Sequence, residues 1–315
     1  MDPAIVIFGF GIGAMVGMTG MGGGTLMTPL LILLFGVKPV TAIGTDIFYA
    51  AVTKTVGGWR HLKMGTVNMG LALWLAAGSV PASIAGVWAI SILQGMIGEA
   101  RLEEVVYALL GGTLLMVGII TLARALILSK LIEERDDFEI KHRHKVAAVG
   151  IGAATGFIIG ITSAGSGTVI AILLIAVFRL TPKKVVGTDV FHAAILLWAA
   201  GLAHWVSGNV DFVLAGNILL GSVPGVVFGS HFAARAPTGL LRTALGVVLI
   251  ASGLVTVQKG DPVIWPIAAA VAGIGLALLI WFPRWWNARR LEREASEAKL
   301  AARDRSDDLA PETIG

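Results

Sequence analysis

The sequence predicts an all-α polytopic membrane protein. It reads as two inverted five-segment repeats with broken or short helices at Gly-rich loops, plus one extra C-terminal span. Three observations carry this. The 315-residue chain is 56% hydrophobic and only 14% charged, with mean hydropathy +0.84, whereas soluble domains are about 25% charged. Eleven apolar segments alternate with charged or turn residues, near 4–19, 25–36, 40–58, 67–93, 105–123, 146–162, 167–178, 184–206, 212–233, 239–257 and 263–282. Finally, the chain aligns with itself. A β-barrel would show short alternating segments instead, and there are none.

The first segment follows "MDPAIVIFGF", which lacks a basic n-region, so it reads as a mature span and not a cleaved signal. A crossing helix needs about 20 residues. The segments 4–19, 25–36, 146–162 and 167–178 are short for that, so they are tilted spans or half-helices meeting inside the bilayer. "GVKPVTAIGTDIFYAA" (36–51) matches "RLTPKKVVGTDVFHAA" (179–194) at a shift of 143. That register also pairs Gly9, Gly13 and Gly17 with Gly152, Gly156 and Gly160, "GGGT" (22–25) with "GSGT" (165–168), and His61 with His204. It pairs "GSVP" (78–81) with "GSVP" (221–224), and 29 of 78 positions are identical between 9–86 and 152–229. The fifth segments pair Gly111, Gly118 and Thr121 with Gly246, Gly253 and Thr256 after an eight-residue shortening.

Five segments per copy invert the second copy. Lys and Arg should then gather on the cytoplasmic side. They do so at 124–145 (Arg124, Lys130, Arg135, Lys141, Arg143, Lys145) and after 283, while Lys38, Arg101 and Lys259 fall outside. The boundaries that follow are 1–123 for the first transmembrane repeat, 124–145 for a cytoplasmic linker and 146–258 for the second repeat. Residues 259–286, with "WFPRWW" (281–286) as interfacial anchor, form an additional span, and 287–315 a cytoplasmic tail. The N-terminus is expected outside and the C-terminus in the cytoplasm.

Glycines at four-residue spacing fit close helix contact. "GMGGGT" and "AGSGT" are too dense for one packing stripe. Interrupted helices in inverted repeats are the layout of secondary transporters, and a helix start offers free N–H groups and a positive dipole end to an anion. The substrate-binding candidates are therefore Gly22, Gly23, Gly24 and Thr25 from one break and Gly165, Ser166, Gly167 and Thr168 from the other. Thr25 and Thr168 are expected to cap the following helix or donate to an oxyanion.

Asp46 and Asp189 share one repeat position. An aspartate at mid-bilayer costs about 2.5–3.5 kcal/mol and usually faces the bundle interior. These two either couple transport to an ion or serve as caps and structural hydrogen-bonding groups. Pro39 and Pro182 place the helix starts before them. Tyr49 and His192, three residues on, share their faces. Lys54, opposite Leu197 in the repeat, pairs with an aspartate, binds an anion or snorkels. His61 and His204 read as helix-end residues or proton relays. Asp46, Asp189, Lys54, His192 and Tyr49 form the candidate coupling set.

No cysteine is present, which excludes disulfides and Cys-ligated metals. No HExxH, Walker or nucleic-acid motif appears, and no nucleophile–base–orienter set is visible. No enzyme activity, cofactor, metal or nucleic-acid partner is expected, and the net charge of +4 reflects loop placement.

The glycine-rich break, "P-x-x-A-x-G-T" (39–45), "H-x-x-x-G" (61–65) with its copy at 204–208, and the duplicated plan resemble the TauE/SafE sulfite exporter family across residues 5–257. The resemblance implies secondary transport of small sulfur-containing anions (sulfite, thiosulfate, sulfoacetate or related organosulfonates) across the bacterial inner membrane, linked to protons or sodium. The family's commoner pattern carries Ser or Asn where this chain has Asp46 and Asp189. Two ionised aspartates repel a dianion, so they fit if protonated in transit or if they bind a co-transported cation. The alternatives are a cation or metal carrier with Asp46 and Asp189 as ligands, and a membrane protein without transport.

Overall fold

A computed structural model describes residues 2–19, 24–126, 142–165, 167–233, 238–277, 280, 281 and 284. The chain folds as α1 (Pro3–Thr19), α2 (Gly24–Phe35), α3 (Pro39–Lys63), α4 (Met69–Ile97) and α5 (Glu99–Leu126), then α6 (His142–Thr162), α7 (Thr168–Phe178), α8 (Pro182–Val206), α9 (Phe212–Ala233) and α10 (Thr238–Gln258). An eleventh helix, α11 (Pro262–Ala277), opens with a 3-10 turn over Pro262–Ile264. The expected segments and the helices agree within a few residues at most ends. Among the described residues, five helices are long and apolar enough to cross a bilayer: α4, α5, α6, α8 and α9. α3 equals α8 in length but carries Asp46, Lys54, Arg60 and Lys63. The proposed linker is helical at both flanks, and its centre, 127–141, lies outside the described residues, as does nearly all of the tail.

α2 has 12 residues and α7 has 11. At 1.5 Å per residue they reach about 18 Å and about 16 Å, roughly half of a hydrocarbon core about 30 Å thick. Both are therefore short for a straight crossing, as the sequence segments 25–36 and 167–178 already are.

Glycine contacts fix the packing. A Cβ on Gly9, Gly13 or Gly17 of α1 would strike the backbone of Ile218, Ser222 or Val226 of α9. A Cβ on Gly152, Gly156 or Gly160 of α6 would strike Leu75, Ser79 or Ser83 of α4. Each contact in the second set is the first set moved by the repeat shift of 143. Both pairs run parallel, because contact numbers rise together. α5 and α10 meet through Gly111 with Gly253 and Gly118 with Gly246, so they run antiparallel. α3 and α8 do likewise: Gly58 lies on Phe191, Gly201 on Phe48, and Trp198 Nε1 donates to Thr55 Oγ1 at 2.8 Å. α3 and α8 are equivalent helices, as are α5 and α10, and each runs opposite to its counterpart.

Loop contacts sort the chain ends of these helices. At one end the Asp211 N–H donates to Thr45 Oγ1 at 3.0 Å, Lys38 pairs with Glu99 at 2.5 Å, and Arg101 reaches Asp261 at 3.8 Å. At the other the Asn68 N–H donates to Thr188 Oγ1 at 2.9 Å and Lys184 Nζ to the Gly65 carbonyl at 3.3 Å. The three cations that sit against the charge rule are all engaged. Lys38 and Arg101 face acids, and Lys259 Nζ donates to the Ile32 carbonyl near the end of α2.

Candidate functional site

The two helix interruptions organise the site. α1 ends at Thr19 and α2 begins at Gly24; Gly22 and Gly23 lie outside the described residues. α6 ends at Thr162, and the chain turns through Ser163, Ala164 and Gly165 to Gly167 before α7. Ser166 is outside the described residues. Gly165 and Gly167 have φ of 103° and 100°, a region closed to side chains. Ser163 holds φ 57° without being glycine, a strained state of the sort found at functional sites.

The expected capping threonines are corrected. Gly167 occupies the N-cap of α7, and no side chain caps it. Thr168 is thus the first residue of α7, and Thr25 already lies inside α2. A Thr cap requires starts at 26 and 169, so α2 starts two residues earlier and α7 one. Both threonines are buried. A cavity of about 10 Å³ lies against the break, lined by Thr155, Ala164, Gly165 and Val169 among others. That is room for about one water molecule.

Neither aspartate caps its helix. The N-caps of α3 and α8 are Lys38 and Thr181, with Pro39 and Pro182 in the first turn, and each aspartate lies two turns further in. Asp46 is fully buried. Its Oδ2 accepts from Thr28 Oγ1 at 2.5 Å and from Ser163 Oγ at 2.7 Å, while Oδ1 has no hydrogen-bond partner. Thr28 lies in the second turn of α2, and Ser163 in the α6–α7 break. The short helix α2 from one repeat and the break of the other therefore meet at one carboxyl group.

Asp189 has a different neighbour. Lys54 Nζ of α3 lies 3.9 Å from its Oδ2, and the two residues are only 8% and 5% exposed. This is the geometry of the pairing reading for Lys54. His192 is fully buried, its Nε2 2.8 Å from Ser79 Oγ and its Nδ1 without a partner. The equivalent positions in the repeat are Tyr49 and Ser222, whose Oγ has no hydrogen-bond partner. His204 is fixed between the Gly160 carbonyl at 2.9 Å and Asn209 at 3.3 Å. His61 Nδ1 meets Thr66 Oγ1 at 2.9 Å. Both histidines are helix-end hydrogen-bonding groups here.

Thr28, Ser163, Ser79 and Ser222 were not singled out from the sequence. Ser79 and Ser222 sit in the duplicated "GSVP" motif, which was a signal. Thr28 and Ser163 face Ala171 and Gly20 in the repeat register, so the duplication did not mark them. Among the described residues no three His, Asp or Glu side chains group as a metal site.

A wider depression of about 490 Å³ opens at the end formed by Asp2, Phe35, Val37 and Asp211. The N–H of Asp211, on its lining, donates to Oγ1 of Thr45, the residue before Asp46, at 3.0 Å.

Comparison with known proteins agrees with this architecture. The family described as "Sulfite exporter TauE/SafE" matches residues 5–256. The chain is 37% identical over 254 residues to the probable membrane transporter protein YjnA of Bacillus subtilis, covering 81% of this chain and 99% of that one. It is 26% identical to the probable membrane transporter protein YdhB of the same organism, over 79% and 98% of the two chains. Against the probable membrane transporter protein MJ0441 of Methanocaldococcus jannaschii the identity is 26%, over 66% and 74%. No solved structure matches. A broken-helix, multi-pass chain matched over nearly its whole length by one profile belongs to the TauE/SafE sulfite exporter family of membrane transporters.

Proposed function

We propose that the protein is a secondary transporter of small sulfur-containing oxyanions across the bacterial inner membrane, linked to a proton or another ion. One observation carries the reading: the short helix α2 and the α6–α7 break converge on a single buried carboxyl group, Asp46. Helix starts without side-chain caps present N–H groups to an anion, and α7 is such a start. Gly22–Thr25 and Gly165–Thr168 supply the substrate contacts. Asp46, Asp189, Lys54, His192 and Tyr49 form the coupling region beside them. The family description speaks for sulfite-like anions. The 490 Å³ depression serves as the outer vestibule. The Lys/Arg-rich linker and the tail face the cytoplasm, and the N-terminus faces out.

The test is flux in proteoliposomes. Sulfite, thiosulfate and sulfoacetate are compared with phosphate and acetate at two pH gradients. Saturable flux of at least one sulfur oxyanion above protein-free vesicles is expected. Flux of none of them, or selective uptake of divalent cations, overturns the reading.

A further inference from the structure

We propose that Asp46 alone is the proton-carrying group of this transporter, and that Asp189 is held as a charged partner of Lys54. The inference rests on the transport reading and narrows it from two equivalent aspartates to one.

The repeat makes the two positions equivalent, and the side chains around them are not. Asp189 has a buried ammonium 3.9 Å away. A cation at that range favours the ionised carboxylate. Asp46 is equally buried, and the side chains that donate to it are the hydroxyls of Thr28 and Ser163. Oδ2 takes both, and Oδ1 takes none. A carboxylate in this place is an uncompensated buried charge; a proton on Oδ1 removes the charge and disturbs neither hydroxyl contact. Loss of the proton leaves an anion already met by two donors. The site is built for both forms.

Among the described residues, the neighbouring elements bring no other charge to Asp46 that takes over this role. α2 carries no ionisable residue. α3 offers Tyr49, three residues on from Asp46, and Lys54, which faces Asp189. α8 brings Asp189, committed to Lys54, and His192, held by Ser79. α9 has only His231, near its far end. α5 carries Glu99, Arg101, Glu103, Glu104 and Tyr107 within its first nine residues and Arg124 at its far end.

The experiment has two readouts on full-length wild-type, Asp46→Asn and Asp189→Asn protein. The first is infrared difference spectroscopy in lipid between about pH 6 and pH 8, above the range in which ordinary carboxylates protonate, which detects the protonated carboxyl stretch without any transport. The band is expected in wild type, absent in Asp46→Asn and retained in Asp189→Asn. Thr28→Val, which removes one donor to Oδ2, is expected to shift the band's midpoint upward. The second is the ratio of sulfur-oxyanion flux with and without an imposed proton gradient. It should fall to one in Asp46→Asn and stay above one in Asp189→Asn. A band that survives Asp46→Asn, a band lost in Asp189→Asn, or a sodium gradient that replaces the proton gradient in wild type overturns the assignment. If wild type moves no sulfur oxyanion, the transport reading fails, and the infrared arm still decides which aspartate titrates.

Discussion

Gly221 of α9 and Gly78 of α4 occupy equivalent places in the duplicated "GSVP" motif, and replacing either with alanine tests the packing directly. A Cβ at Gly221 would stand 1.9 Å from the Val6 carbonyl oxygen, and one at Gly78 2.0 Å from that of Val149. Ordinary contact begins near 3.4 Å, so each helix pair must separate by about 1.5 Å. The obstacle is a helix carbonyl, which has no rotamer to change. Overpacking costs typically 1–3 kcal/mol, and an immovable backbone atom places these substitutions at the upper end, about 3 kcal/mol. Alanine also favours a helix over glycine by about 1 kcal/mol. Controls within the same helices cancel that gain: at Gly216 of α9 and Gly95 of α4 an added Cβ meets nothing within 4 Å. The difference between tight and open positions in one helix is therefore about 3 kcal/mol, on the order of 100-fold in the folded-to-unfolded ratio. Titration with SDS in mixed micelles, followed by tryptophan fluorescence, measures it. Equal midpoints for Gly221→Ala and Gly216→Ala would refute the contact. Unequal losses at Gly221 and Gly78 would refute their equivalence.

Lys54→Met strands Asp189 in the interior and should cost about 3–5 kcal/mol; the double variant Lys54→Met/Asp189→Asn should recover a large part of it, read as a double-mutant cycle. Ser163→Ala removes one hydroxyl from Asp46 and should cost about 1.5–3 kcal/mol when the carboxyl is ionised, with a smaller loss at acidic pH; a pH-independent loss speaks against the contact. Asn68 and Asp211 cap α4 and α9 through the Leu71 and Leu214 N–H groups, so Asn68→Ala and Asp211→Ala should each cost about 1 kcal/mol by the same SDS titration. Gly167→Ala puts a side chain at φ 100° and should slow sulfur-oxyanion flux more than it lowers stability; the reverse order would make the break a packing element only.

Much of this was legible in one sequence. Hydropathy located the helices because lipid tolerates few charges, and a shift of 143 held without gaps across Gly, Asp, His and Pro. The glycine stripes announced close contact, though not their partners. Gly13 meets Ser222 only because α1 packs on the fourth helix of the other repeat, and periodicity carries no information on which helix is adjacent. The pairing of Lys54 with Asp189 was hidden for the same reason. It needs α3 and α8 to run antiparallel, so that a residue far along one meets a residue early in the other. Thr28 and Ser163 were invisible because they break the repeat: hydroxyls replace Ala171 and Gly20 of the register, and only the fold brings both to Asp46.

Those departures from symmetry bear on how the two halves divide their work. α1 on α9 and α6 on α4 are the same contact made twice, so a rearrangement that exchanges the halves' conformations exchanges like packing for like. In the transport reading, the glycine interfaces then contribute little difference between outward and inward states. The difference must come from residues without a true counterpart: Lys54 against Leu197, Thr28 against Ala171, Tyr49 against His192. All three sit beside the two aspartates. Restoring symmetry at one of them, by Lys54→Leu or Thr28→Ala, should therefore shift the balance between the two states more than any glycine-stripe substitution. Accessibility of single cysteines placed on each face of this cysteine-free chain measures that balance. If Gly13→Ala moves it as far as Lys54→Leu does, the bias resides in the helix interfaces and not in the ionisable core.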